Sequence, residues 1–167
     1  MKTTLYLATS ADGFIAKPDG DSNWTSPAVE ALFDQRVKEA GCVVVGRKTF
    51  EQYQGIIYPM QGVLNIVLTN DPNVKFEGAV TAPTPLAALA HAHKNGCTAV
   101  IISGGAKTAA AFLNEDLVSQ VFLAVHPLVL GEGLKPFEDG LLDANLKLIG
   151  TKDLGEGVVE FYYEYEL

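Results

Sequence analysis

Apolar and polar positions along the 167-residue chain switch repeatedly between a strand-like and a helix-like period, and the switches mark the elements. Thr3 to Thr9 reads as a first strand, followed by a polar stretch rich in Asp and Gly from Ser10 to Ser26. Ser26-Pro27 supplies an N-cap and a proline for the first helical position. From there Val29, Leu32, Phe33, Val37 and Ala40 recur at helical spacing until Gly41. Cys42 to Val45 predicts a buried strand, and Arg47 to Tyr53 a short helix directly after Gly46. Leu64 to Thr69 is the next strand, turning at Asn70-Asp71-Pro72, and Val80 marks a short one. Thr84-Pro85 opens a helix through His93 that Gly96 ends. Ala99 to Ser103 is another buried strand, and Gly104-Gly105 leads into a helix from Ala106 to about Asn114. Everything beyond Val118 is strand-rich. In the last strand Val159, Phe161, Tyr163, Tyr165 and Leu167 take one face, and Glu160, Tyr162, Glu164 and Glu166 the other.

A strand-helix unit repeated about four times and then closed by successive strands predicts one domain over residues 1–167. Strands linked by helices must be mostly parallel, whereas closing strands join as hairpins. The expected fold is α/β, a single mixed and mainly parallel sheet flanked by helices, with C-terminal antiparallel strands.

Composition narrows the function classes. With 48% apolar and 19% charged residues the chain builds a core rather than staying disordered. A net charge of −8 excludes the basic surface that nucleic acid requires. Apolar runs of about five residues fall far short of the roughly 20 needed to span a membrane. The short stretch Leu5 to Ala8 after Lys2 makes no secretory signal, so a cytoplasmic location is expected. Cys42 and Cys97 each precede a β-branched run and read as buried strand residues, with neither disulfide nor zinc spacing. His91 and His93 face different directions on their helix, so no metal is expected, and His126 before Pro127 reads as structural.

The chemistry concentrates at two strand-to-helix junctions. In Val43-Val44-Val45-Gly46-Arg47-Lys48-Thr49-Phe50 a buried strand turns through one glycine into a helix. In Val100-Ile101-Ile102-Ser103-Gly104-Gly105-Ala106-Lys107-Thr108 the turn carries two. Open amides and the positive end of the helix dipole suit such starts to anions, glycine admits a phosphate close to the backbone, and Thr49 or Thr108 can add a hydroxyl. A tight turn alone also explains a glycine there. The second junction is not a P-loop, since Ala106 separates Gly105 from Lys107, and no G-x-G-x-x-G fingerprint exists. Two junctions in one small domain suit a ligand with several phosphates, such as a dinucleotide.

Four motifs then resemble the dihydrofolate reductase-like fold, and within it the reductase domain of riboflavin biosynthesis with its stand-alone relatives. They are Ala8-Thr9-Ser10-Ala11-Asp12-Gly13-Phe14-Ile15-Ala16 followed by Trp24, Val45-Gly46-Arg47-Lys48-Thr49-Phe50-Glu51, Ile66-Val67-Leu68-Thr69-Asn70, and Ser103-Gly104-Gly105-Ala106 with Leu128-Val129-Leu130-Gly131-Glu132-Gly133 downstream. The resemblance implies a metal-free reductase using NADPH, with NADH as the other candidate. It would transfer a hydride to a pyrimidine- or pterin-like imine or carbonyl, as in reduction of 5-amino-6-(5-phosphoribosylamino)uracil. It implies that Ala8 and Ile15 offer backbone bonds to the nicotinamide carboxamide, and that Gly46, Arg47, Lys48 and Thr49 hold phosphates. Leu68, Thr69 and Asn70, with Arg47, would lie by the adenosine 2′-phosphate, where Asp71 adds a like charge. Ser103, Gly104, Gly105, Ala106, Lys107 and Thr108 would face the pyrophosphate. Asp12 would belong to the catalytic centre and Ser10 to the substrate site, although Asp-Gly is also a plain β-turn signal.

On the first helix Glu30 falls at the edge of the apolar stripe beside Val37, facing a cleft lined by Trp24, Phe33 and Phe50. In dihydrofolate reductases a helix carboxylate near this place grips the pterin. Counting back from Gly46 selects Glu30, and counting from Trp24 selects Val29. A solvated glutamate and a core tryptophan are the plain alternatives. Arg36 lies within the apolar stripe, either snorkelling to the surface or meeting an anionic substrate. Glu132 could border the cleft. Riboflavin-pathway reductases usually accompany a deaminase domain with zinc-binding His and Cys, which this chain lacks. Dihydrofolate reductase and a non-catalytic dinucleotide-binding module are the other readings, and Tyr162 and Val158 on the outer face of the last strand offer a homodimer surface.

Overall fold

The computed structural model describes residues 1–137 and 143–166. In chain order the elements are β1 (Lys2–Thr9), α1 (Pro27–Ala40), β2 (Cys42–Gly46), α2 (Arg47–Gln52), β3 (Leu64–Leu68), β4 (Val80–Ala82), α3 (Pro85–Lys94), β5 (Ala99–Ile102), α4 (Ala106–Asn114), β6 (Gln120–Val125), β7 (Asn145–Gly155) and β8 (Val158–Glu166). The helix starts read from sequence are built as expected. Ser26 Oγ accepts from the Val29 amide and Thr84 Oγ1 from the Ala87 amide, each with proline in the first turn. Gly41 ends α1 at φ 77°, a left-handed conformation in which its amide reaches the Val37 carbonyl.

The strands form one mixed sheet in the order β4-β3-β2-β5-β1-β6-β8-β7, parallel from β4 through β6, with β8 antiparallel to both β6 and β7. One detail departs from the sequence expectation. β6 pairs parallel with β1, because α4 carries the chain across the sheet, so the hairpin begins only at β7. Two core layers result. Leu5, Val44, Ile66, Ile102 and Phe112 lie on the α3/α4 side, and Val37, Val43, Val45, Phe50 and Val67 on the α1/α2 side. Burial on both faces is why β2 reads as an unbroken apolar run.

The alternation along β8 is correct, but the face that carries its glutamates is covered at its start and exposed only at Glu164 and Glu166. Val158 and Glu160 are buried beneath α1, and Tyr162 bonds to Arg36 on the same side. Of the two residues expected on an outer face, Val158 is buried and Tyr162 half-buried. Leu167, assigned to the other face, lies outside the described residues. Cys42 is buried as expected and its thiol is pushed up to about 12 by burial, with Cys97 adding to the shift. Cys97 is only half-buried and precedes β5 rather than joining it, its Sγ 3.8 Å from the Gly41 carbonyl. No helix among the described residues is long and apolar enough to cross a membrane.

Candidate functional site

The sheet opens at the carboxyl ends of its central strands. β1 pairs with β5 only from Lys2 to Leu5, while its pairing with β6 continues to Thr9. β2 meets β5 only at Val43 and Val44, yet runs beside β3 for its full length. Above Ile102 a gap thus separates β1 from β2, and Ser103, Gly104 and Gly105 turn into it. In open α/β sheets such a divergence beyond the strand ends is where ligands bind.

The two glycine junctions meet in that gap as one structure. The Gly46 amide donates to the Gly104 carbonyl at 2.9 Å, and the Ser103 amide to the Val44 carbonyl at 2.8 Å. A Cβ on Gly46 would stand 2.6 Å from Thr108 Oγ1, and one on Gly105 would stand 3.4 Å from Thr49 Oγ1. Each glycine therefore faces the threonine of the other junction. Gly104 sits at φ 96°, which favours glycine, and the Gly104–Gly105 peptide is cis. No side chain caps α2 or α4, so their first amides stay open for an anion.

The interlock corrects one assignment. Thr108 is buried with its hydroxyl in the space that Gly46 leaves, so it faces the packing rather than a ligand. Thr49 and Ala106 remain half-buried at the rim, and Lys48 and Lys107 are exposed. Ser103 Oγ shares a 2.6 Å hydrogen bond with the Tyr58 hydroxyl, whose phenol burial pushes up to about 12. At the end of β3, Leu68 and Thr69 are half-buried and Asn70 exposed. Asp71 beside them caps the Asn73 amide with Oδ1 and takes Arg47 with Oδ2 at 3.1 Å. Arg47 also donates through Nε to Glu51 at 2.8 Å, so two carboxylates hold one guanidinium.

On the other side of the gap, residues 10–16 are zipped to residues 128–134. Ala11 donates to Leu128, Ile15 to Leu134 and Leu134 back to Ala16, and a Cβ on Gly133 would overlap the Ala16 carbonyl oxygen. The Ile15 amide is thus already committed, which leaves only its carbonyl for a ligand. Ala8 is half-buried on the stretch of β1 that has lost β5. Ser10 is buried and its Oγ accepts from the Phe14 amide, so it shapes the turn instead of meeting substrate. Asp12 accepts from the Leu130 amide at 3.1 Å and the Gly131 amide at 2.7 Å. The Ser10 hydroxyl first, then these amides, hold its carboxyl down at about 2. An acid that stays ionised at neutral pH is no proton donor, and Asp12 positions the 128–134 segment. Because its folded pKa is depressed, this contribution is complete above the ordinary carboxylate range and fades as pH falls from about 4 toward about 2. Asp12→Asn should flatten the stability profile in that window and raise amide exchange at Leu130 and Gly131 at neutral pH, both readable by NMR.

The substrate-side assignments divide. Val29 is buried, whereas Glu30 is exposed on the wall of the cleft with Oε1 accepting from Thr25 Oγ1 at 2.9 Å. Phe33 lines the same cleft, but Phe50 is fully buried, stacked on Tyr58 and packed on Phe76, and belongs to the core. Arg36 neither snorkels nor meets a substrate. It forms a two-pronged ion pair with the fully buried Glu160, 2.6 Å on each prong, and lies 4.2 Å over the Phe122 ring. Trp24 packs edge-on against buried His126 at 5.2 Å. His126 Nε2 accepts from the Ser26 amide at 3.1 Å, so its proton sits on Nδ1, toward the Ala124 and Thr9 carbonyls. This imidazole joins the ends of β1 and β6 to the start of α1, the structural role expected of it. Glu132 is exposed in its turn.

The cleft, about 690 Å³, lies between α1 and residues 53–61, and its second wall of Tyr53, Ile56, Ile57, Tyr58 and Met60 was not foreseen. The only sequence signal was the run Ile56-Ile57-Tyr58-Pro59, apolar but without a period. Among the described residues no group of three or more His, Cys, Asp or Glu could hold a metal ion.

The model of the RibD C-terminal domain matches residues 1–160 of this chain. An uncharacterised Bacillus subtilis (strain 168) protein, YwjB, is 30% identical over 168 residues, covering 96% of this chain and 97% of its own. Among solved structures, Acinetobacter baumannii RibD superposes with a TM-score of 0.79 at 19% identity, over 99% of this chain and 58% of that one. Dihydrofolate reductase from Enterococcus faecalis, solved with NADP(H), gives 0.79 at 20% identity over 99% and 96%. At these identities the two structures establish a shared fold.

Proposed function

Because the chain belongs to the family of RibD C-terminal domains, we propose that it is a nicotinamide dinucleotide-dependent reductase of a small nitrogen heterocycle. The observation that carries this reading is the fusion of the Gly46 and Gly104–Gly105 turns into one floor, which the Ser103–Tyr58 hydrogen bond ties to the wall of the cleft. That floor fits a dinucleotide, since open space lies beside the left-handed Gly104 and uncapped helix amides are presented to a pyrophosphate there. When bound, such a cofactor supplies a hydride for a C=N or C=O bond. The chain's own residues do the rest. Thr49, Gly104, Gly105 and Ala106 bind the phosphates on the floor that Gly46 holds in place, and Ala8 with the Ile15 carbonyl orients the nicotinamide. Phe33, Tyr53 and Tyr58 exclude water from the cleft. Glu30, steadied by Thr25, accepts a hydrogen bond from a substrate N–H and so fixes the orientation of the ring in the cleft.

The ion pair of Arg47 with Asp71 bears on the choice between cofactors. A 2′-phosphate has to compete for Arg47 with two carboxylates, while a 2′-hydroxyl finds in Asp71 an acceptor of the kind that favours NADH. NADPH and NADH should therefore bind within about tenfold of each other, a gap of about 1.4 kcal/mol. Asp71→Asn, which frees Arg47, should shift the ratio several-fold toward NADPH. Fluorescence titration of both dinucleotides, followed by loss of reduced-nicotinamide absorbance with pterins, aminopyrimidine ribosides and quinones, tests the reading. Saturable binding with turnover supports it. Failure of both dinucleotides to bind at millimolar concentration removes it, and binding without turnover leaves a dinucleotide-binding module.

A further inference from the structure

The charge of the cleft identifies the class of molecule it accepts, given the reading that this is the substrate side of a reductase. One wall is the polar flank of α1, which brings Glu30, Asp34 and Lys38. The other wall, residues 53–61, brings no charged side chain at all. The charge of Lys38 is balanced by Asp34, whose Oδ2 lies 2.6 Å from its Nζ one helical turn away. Glu30 is therefore left as an unbalanced negative charge. The only arginine on α1, Arg36, is turned into the fold and neutralised by Glu160. At the mouth Ile56 is 80% exposed and Ile57 41%, an apolar lip that a hydrated dianion has no reason to approach.

The geometry points to an unphosphorylated substrate, neutral or cationic, with a flat ring between Phe33 and the Tyr53–Tyr58 wall and an apolar substituent reaching the Ile56–Ile57 lip. A phosphate ester brought here would lose hydration without gaining a cation, and a like charge beside Glu30 opposes it. A protonated amine, or the N–H edge of a neutral heterocycle, finds Glu30 as its acceptor instead.

Matched probes test this directly: uridine and its 5′-monophosphate, neopterin and its monophosphate, riboflavin and its 5′-monophosphate. Each is titrated into the full chain at low salt with NMR detection at Ile56, Ile57 and Tyr53. The expected result is saturable binding of at least one unphosphorylated member, with its phosphate ester at least tenfold weaker. That gap should narrow as salt screens the cleft. It should narrow also in Asp34→Asn, which removes one carboxylate and releases Lys38. A phosphate ester that binds as tightly as its partner, or failure of every probe to bind, overturns the inference. Parallel titrations with NADPH and NADH keep the two readings apart. Discrimination against phosphate without dinucleotide binding removes the reductase alone, and dinucleotide binding with the ester preferred removes only the substrate class.

Discussion

Arg36→Ala is expected to lower the folding free energy by about 3–5 kcal/mol, the usual cost of stranding one partner of a buried ion pair. For a domain of this size that corresponds to a fall in Tm of roughly 6–20 °C. Glu160 is fully buried and Arg36 only 14% exposed, so removing the guanidinium leaves a carboxylate without water or counterion. Burial by itself would lower the Arg36 pKa, and the two-pronged bond to Glu160 outweighs it, so the guanidinium is held above its ordinary value. The rings of Phe122, Tyr6 and Tyr162 surround the same group, the nearest at 4.2 Å, and match a planar cation better than an ammonium. Arg36→Lys should for that reason recover only part of the loss. The double variant Arg36→Met, Glu160→Leu should recover most of it, since replacing both charges removes the desolvation cost along with the attraction. Chemical denaturation reads all three. A single Arg36→Ala variant with unchanged stability but weakened binding of an anionic substrate would restore the surface role that the sequence alone allowed.

That ion pair also shows where sequence reasoning stops. The period-two pattern on β8 places Glu160 and Tyr162 on one face, but a pattern has no knowledge of which face a helix covers. The answer depends on Arg36, 124 residues earlier, and neither residue is intelligible without the other. Phe50 and Ser10 failed for a related reason. Both sit inside motifs that border the site, but adjacency in sequence is not exposure to it, and helix and turn geometry point these two side chains inward. What was legible was local chemistry: the Ser26 and Thr84 caps, the Gly41 stop and the two glycine junctions. The wall at residues 53–61 has no repeating pattern and no cap, so only tertiary packing reveals it.

Gly46→Ala is the variant that tests the centre of the site. It is expected to reduce dinucleotide affinity by roughly ten- to a hundredfold, or about 1.4–2.8 kcal/mol. It should also cost about 1–3 kcal/mol of stability through overpacking. The backbone there, at φ −71° and ψ 149°, is ordinary for any residue, so conformational freedom is not the issue. The constraint is space, because the added Cβ would stand 2.6 Å from Thr108 Oγ1, and Thr108 is buried with little room to yield. Relief must come from moving one junction against the other, which disturbs the 2.9 Å bond from the Gly46 amide to the Gly104 carbonyl and with it the aim of the amides beyond. The Gly46→Ala, Thr108→Ala double variant separates two causes of the lost affinity. Calorimetric titration with NADPH and NADH, beside thermal denaturation, reads both. If stability and affinity return together, the interlock of the two turns is what holds the binding floor in shape. If stability returns and affinity does not, the Cβ itself blocks the approach of a phosphate to the backbone. A single Gly46→Ala variant that binds either dinucleotide as the parent does would mean that the pyrophosphate lies elsewhere, and the reductase reading would lose the observation it rests on.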